Sequence, residues 1–202
     1  MSVTVRPKYR AFFCGLLALI ATAAPAAPPA GPRVRIETTM GPIVIALATK
    51  QAPITTQNFL RYADEKRFDG TTFYRAARGK RDPKAGLLQG GIDHHIPRAL
   101  PPIAHEPTSR TGLSHVDGTV SMARNAPGTA MGDFFIIVGA GSTYLDARPG
   151  SPGYAAFGTV VSGMPLVRRI LAMPTWPGGF SKETIGQSLR APVRIVSVRR
   201  VP

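Results

Sequence analysis

The chain has one cysteine (Cys14), one tryptophan, four histidines and only 11 acidic residues against 25 Lys and Arg in 202 positions. Each scarcity excludes a class of chemistry. Cys14 lies inside an apolar run near the start, so a chain trimmed of that run has no thiol nucleophile, zinc-thiolate site or disulfide framework. Stability must then come from a packed core, and the about 170 residues that remain form one ordinary domain able to bury one. His94 and His95 are adjacent, and on a strand neighbours point to opposite faces and cannot chelate one ion. His105 and His115 stand apart, so all four histidines read as structural or solvent-facing. The acids are scattered, with only Asp64 and Glu65 adjacent, on a helix surface, which offers no carboxylate pair for acid-base work. There is no P-loop, dinucleotide fingerprint or nucleophile-elbow serine. The expectation is no metal and no cofactor. No apolar run reaches the about 20 residues needed to cross a bilayer.

What is present begins with the leader. Arg6, Lys8 and Arg10 precede an uncharged stretch, AFFCGLLALIATAA at 11–24, followed by PAAPPAGP. A basic start, a short apolar core and small residues at 21–23 and 24–26 describe a secretory signal peptide. The reading is a signal peptide over 1–27, a short Pro/Gly linker over 28–32 and one domain over 33–202, exported to the periplasm without stable membrane insertion. Net charge is +14, and loss of the three leader cations leaves +11. The basic residues are dispersed, with RGKRDPK at 78–84 the densest group and Arg199-Arg200 at the end. No basic helix, helix-turn-helix or zinc-finger spacing accompanies them, so a generic positive surface is expected rather than a specific nucleic-acid partner. RGKRDPK remains the place where nucleic acid or anionic lipid would bind.

Residues 34–38 alternate apolar and polar, 40–41 form a turn, and 42–47 are β-branched, which together predict a hairpin. A helix is expected from Ala52 to about Arg67, with Phe59, Tyr62 and Ala63 on one stripe and Pro53 in its first turn. Short apolar pieces divided by glycine and proline follow, at 72–75, 86–89, 118–123, 134–138 and 155–161. A second helix follows Gly163, with Val167, Ile170 and Leu171 inward, Arg168 and Arg169 outward, and Pro174 as its stop. PTWPGG (174–179) reads as a loop, and 193–201 as a strand pairing with the first. Many short strands and two distant helices argue for a mainly β, antiparallel sheet, and closure into a barrel would leave no exposed edge.

Several segments resemble the cyclophilin-type peptidyl-prolyl cis-trans isomerases. Phe73-Tyr74-Arg75, followed by Leu87-Leu88-Gln89-Gly90-Gly91, resembles the family's arginine and Gln-Gly-Gly. GTVSMAR at 118–124 resembles its GT-V-SMA strand, and DFFI at 133–136 its QFFI strand. Tyr144-Leu145-Asp146 resembles its aromatic-Leu-Asp, and FGTVVSGM at 157–164 its FG-V-GM. With the opening TTMGPIVIAL and APITTQNFLRYADEKRFDGTTFYR, the likeness runs in order from Val34 to Met173.

The resemblance implies a closed eight-stranded antiparallel barrel capped by two α-helices, and rotation about the peptide bond before proline. That bond has partial double-bond character and a barrier of about 18–20 kcal/mol. No nucleophile or metal is needed to twist it; a fixed guanidinium suffices, because the pyramidal nitrogen of the twisted state is a better acceptor than the planar amide. The family pattern casts Arg75 and Gln89 as catalytic. Phe135, Leu87 and Leu145 would form the proline pocket, and Ala123, Arg124, Tyr144 and Tyr154 the rest of the substrate-binding groove. Implied partners are unfolded or proline-containing polypeptides and, weakly, cyclosporin-like ligands, with the protein a monomer.

Four positions depart from the pattern. The stretch between Arg75 and Gln89 is long, so Gly86 stands where a pocket phenylalanine is expected. Asp133 replaces a groove glutamine, an acceptor in place of a donor-acceptor. Tyr144 replaces a tryptophan and Tyr154 a histidine. Gly86 and Asp133 keep open the alternative of a catalytically weak peptide-binding or chaperone module.

Overall fold

The computed structural model describes Met1 and residues 31–140, 142–179 and 181–201. The leader and its cleavage signals, over 2–30, lie outside the described residues. Among the described residues there are nine strands: β1 (Arg33–Thr38), β2 (Gly41–Leu47), β3 (Thr72–Arg78), β4 (Gly86–Gly91), β5 (Thr119–Met122), β6 (Phe134–Val138), β7 (Ala156–Ser162), β8 (Thr175–Trp176) and β9 (Ser188–Val201). The helices are α1 (Pro53–Asp64), the single turn α2 (Thr108–Thr111) and α3 (Met164–Leu171). Eight strands close in the order β1-β2-β7-β5-β6-β4-β3-β9, with β9 returning to β1, and every pairing is antiparallel. The ninth, β8, adds only Thr175 and Trp176 beside Leu189 and Ser188.

Alternation builds the barrel interior. Val34 and Ile36 of β1 and Ile43, Ile45 and Leu47 of β2 are fully buried, as are Phe134, Ile136 and Val138 of β6. The stripe of α1 covers an aromatic cluster: Phe59 packs on Phe68, Phe134 and Phe157 with ring centroids 5.1, 5.4 and 5.2 Å apart. Helix α3 buries Leu166, Val167, Ile170 and Leu171 and turns Arg168 and Arg169 to solvent, as its period predicts. The first turn of α1 lacks a side-chain cap from its own N-cap, Ala52. Buried Glu106 serves instead, accepting from Ile54 N at 3.2 Å, Thr55 N at 2.7 Å and Thr55 Oγ1 at 2.6 Å. A carboxylate there satisfies orphan amides and suits the positive helix end.

Three expectations need correction. Helix α1 ends at Asp64 rather than Arg67, because Lys66 takes a left-handed backbone (φ +56°) that stops the helix. The 174–179 segment is not all loop, since Thr175 and Trp176 pair with β9. β9 starts at Ser188, five residues before the sequence pattern does. Pro192 interrupts its pattern, and the β3 register jumps from Val193 to Ser188 across it, so the early part has its own partners.

Candidate active site

β6 is buried on both faces, which is where the site originates. Phe134, Ile136 and Val138 point into the barrel, so Phe135 and Ile137 must point out. There they meet Leu145 to form a second apolar cluster, flanked by Leu87, Ala123 and Tyr154. The cluster forms one side of a cleft of about 590 Å³. On β4, Leu88 is buried in the core while Leu87 and Gln89, at the alternate positions, line the cleft.

The polar side depends on a β-bulge. Phe73 pairs with Gly90 and Arg75 with Gln89, so Tyr74 is an extra residue on β3. A bulge sets two residues against one and redirects the strand's side chains. It brings the adjacent Tyr74 and Arg75 together on Gln89: Arg75 Nη1 donates to Gln89 Oε1 at 2.6 Å, and Gln89 Nε2 donates to the Tyr74 hydroxyl at 2.7 Å. The hydroxyl donates to Asp133 Oδ1 at 3.2 Å. From the other side Arg75 Nε donates to Gln187 Oε1 at 2.8 Å, and Gln187 Nε2 donates to Glu183 O at 2.7 Å. The guanidinium is thus fixed by Nε and Nη1, while Nη2 has no hydrogen-bond partner among the described residues. Burial draws the Arg75 pKa below the ordinary arginine value. Burial, and then the Asp133 charge, push Tyr74 far above the usual phenol range, so its proton stays on.

All nine residues singled out in the sequence, namely Arg75, Gln89, Leu87, Ala123, Arg124, Phe135, Tyr144, Leu145 and Tyr154, line this one cleft. Residues 33–200 match the family described as cyclophilin type peptidyl-prolyl cis-trans isomerase/CLD. A peptidyl-prolyl cis-trans isomerase of Acinetobacter baylyi is 34% identical over 169 residues, covering 82% of this chain and 84% of the relative. The chain belongs to the cyclophilin-type peptidyl-prolyl cis-trans isomerases. Peptidyl-prolyl cis-trans isomerase B of Escherichia coli is 32% identical over 154 residues, 74% of this chain and 90% of that protein. The fold is shared with a Cryptosporidium parvum cyclophilin-type isomerase solved in the presence of the dipeptide Ala-Pro, with a TM-score of 0.66 at 20% identity, covering 84% of this chain and 99% of the other.

The departures from the family pattern now have structural meanings. Gly86 is not among the residues lining the cleft. It opens β4 with φ +147°, and a Cβ there would lie 2.1 Å from the Ala77 carbonyl oxygen. No side chain fits that backbone, and the apolar wall comes instead from Phe135, Leu87, Leu145 and Tyr154. The long 75–89 stretch is a hairpin extension in which Ala76, Ala77 and Arg78 pair with Leu88, Leu87 and Gly86. Asp133 lines the cleft yet is nearly fully buried. Besides Tyr74, it accepts from Asp93 N at 2.8 Å and His94 N at 3.3 Å. Tyr154 meets Phe135 edge-on at 5.5 Å and lies under the Arg124 guanidinium, 4.7 Å from the ring centroid. Arg124 Nη2 donates to Gly153 O. Tyr144 is largely exposed at the rim.

Sequence reading missed Tyr74, Gln187 and the hydrogen bonds that Asp133 accepts from Tyr74 and from the backbone of Asp93 and His94. A period-2 strand sends Tyr74 to the opposite face from Arg75, and only the bulge reverses that. Gln187 is 112 residues from the arginine it holds, and no local pattern links them.

Proposed function

We propose that this isomerase is a broad-specificity folding catalyst for exported polypeptides, with Arg75 as its catalytic residue and Phe135, Leu87 and Leu145 as the proline seat. The observation that carries the reading is the Arg75 guanidinium, clamped between Gln89 and Gln187 at the edge of an apolar wall. A proline ring set against that wall brings its nitrogen and the preceding carbonyl to the guanidinium. As the bond twists, amide resonance is lost and the nitrogen lone pair becomes an acceptor. A donor already fixed by two side chains has no reorganisation to pay for at that moment, so it stabilises the twisted state more than either planar isomer. Arginine keeps its proton at neutral pH and offers a rigid fork of donors. Gln89 orients that fork, and the groove by Ala123 and Arg124 takes the residues before proline. The basic, apolar and small-residue leader supports an exported client set.

The test is protease-free measurement of cis-trans exchange in a short Ala-Pro-containing peptide. Loss of one such donor costs about 2.7–4 kcal/mol, so Arg75→Ala should lower kcat/KM by about a hundredfold to a thousandfold. Equal rates in the two proteins would sink the assignment, and peptide binding without turnover would favour the binding-module alternative. For export, the full chain produced in a bacterial host should be recovered from the periplasm cut close to Ala24 or Ala27; an uncut cytoplasmic product would refute it.

A further inference from the structure

Behind the apolar wall lies a polar chain that the proposed mechanism does not use. The His115 side chain is completely buried, with Nδ1 2.5 Å from Asp146 Oδ1 and Nε2 2.9 Å from Ser121 Oγ. Asp146 also accepts from Ser114 Oγ at 2.5 Å and from His115 N at 3.0 Å. The order hydroxyl, imidazole, carboxylate is that of an activated serine nucleophile. Ser121 is fully buried on β5, however, and no substrate carbonyl can reach it. The chain must serve something else.

Its position shows what. The His115 ring stacks on Phe135, with centroids 6.1 Å apart and planes 18° apart. Phe135 then meets Tyr154 edge-on, and Tyr154 lies under Arg124. Asp146 directly follows the 3₁₀ turn Thr143–Leu145, which carries Tyr144 and Leu145. His115 therefore touches the wall from behind and, through Asp146, holds the turn that brings Leu145 to the same wall and Tyr144 to the rim. We propose that His115 is a positioning residue for the proline pocket, whose neutral ring backs Phe135 and ties it to the turn bearing Tyr144 and Leu145. The proposal rests on the isomerase site described above.

A carboxylate facing Nδ1 keeps the proton on that nitrogen, so Nε2 accepts from the Ser121 hydroxyl. Protonation of Nε2 reverses this last bond and leaves the Ser121 hydrogen without its acceptor inside the protein. The groups facing the ring are Ser121 from β5, Phe135 from β6 and Asp146 from the turn, with Ser114 reaching it through Asp146. Burial lowers the His115 pKa from the ordinary value, opposed by the Asp146 hydrogen bond and charge. The neutral ring and its contacts are complete above the ordinary histidine pKa, and are lost as pH falls through the lower folded value.

Four variants test this in the same exchange assay, across pH 4 to 8 as an order-of-magnitude window around the histidine range. His115→Phe keeps a ring against Phe135 and loses the tether. His115→Asn keeps a donor for Asp146 and loses the ring. Each should lower kcat/KM by about tenfold, chiefly through KM, and abolish the acid limb of the wild-type profile. Asp146→Asn should move that limb to lower pH. Ser121→Ala, which leaves almost no cavity, should weaken it even if the His115 variants fail to fold. An acid limb unchanged in every folded variant, with kcat/KM within about twofold of wild type, overturns the proposal. Such a result beside an inactive Arg75→Ala leaves the isomerase site standing. An Arg75→Ala protein as active as wild type overturns the site reading and this proposal with it.

Discussion

The Tyr74 hydroxyl donates to Asp133 Oδ1, and this contact sets the direction of every hydrogen bond from there to Arg75. A carboxylate only accepts, so the phenol must donate to it and can then accept from Gln89. The Gln89 amide must therefore turn its nitrogen to Tyr74 and its oxygen to Arg75. Asp133, a departure from the family pattern that suggested a weakened groove, instead orients the glutamine that holds the catalytic candidate. Tyr74→Phe removes the middle of this relay and little else. Of the two bonds lost, the one that orients Gln89 is the neutral bond from its amide; such a bond is worth about 0.5–1.5 kcal/mol, so kcat/KM should fall about two- to tenfold. Cis-trans exchange rates, compared at matched thermal stability, check it.

Gln187 should behave as the second arm of the same clamp. It accepts from Arg75 Nε and is itself anchored on the Glu183 carbonyl. Gln187→Ala should lower kcat/KM by a similar factor of about two to ten. In an Arg75→Ala background the same substitution should do nothing, because its effect acts through the guanidinium. A double-mutant cycle measures this directly; additive losses would place Gln187 in contact with substrate instead.

Stability should respond most to a residue remote from the cleft. Glu106 accepts three hydrogen bonds at the start of α1 while almost fully buried. Bonds to a charged group are worth about 1.5–3 kcal/mol, and Glu106→Ala leaves the Ile54 and Thr55 donors unsatisfied. Urea unfolding should show a loss of at least that size, with kcat/KM unchanged in the absence of denaturant.

What was legible in the chain follows from the physics of each signal. Alternation in 34–38 and the stripe Phe59-Tyr62-Ala63 are local, and they appear in the structure as β1 and α1. The spacing of Arg75 and Gln89 marked two residues that the β3-β4 register pairs directly. The Glu106 cap, the Gln187 clamp and the β8 pairing join residues far apart in sequence, and no period encodes such contacts. The reason for glycine at 86 was not legible, because position along a motif does not show backbone conformation. Its φ and the neighbouring Ala77 carbonyl, not the pocket, require glycine there.

Asp93 offers a prediction whose sign can be worked out. It has a left-handed backbone, φ +51°, and although its side chain is exposed, partial desolvation and the Asp133 carboxylate raise its pKa, with His94 opposing. A raised folded pKa means the native state holds this proton more tightly than the unfolded chain does. The contribution to stability is therefore greatest below the ordinary aspartate value of about 3.9. It declines as pH rises through the folded pKa, so at neutral pH the ionised side chain is a net cost. Asn tolerates the left-handed region equally well and has no charge to repel Asp133, while the backbone bond from residue 93 to Asp133 does not depend on the side chain. Solvent screens a charge this exposed, so Asp93→Asn should raise the melting temperature by no more than about 1 °C at pH 7. The gain should shrink as pH falls and vanish below about pH 4. Thermal unfolding of both proteins across that range checks the sign, and a gain that persists unchanged at low pH would refute the electrostatic account.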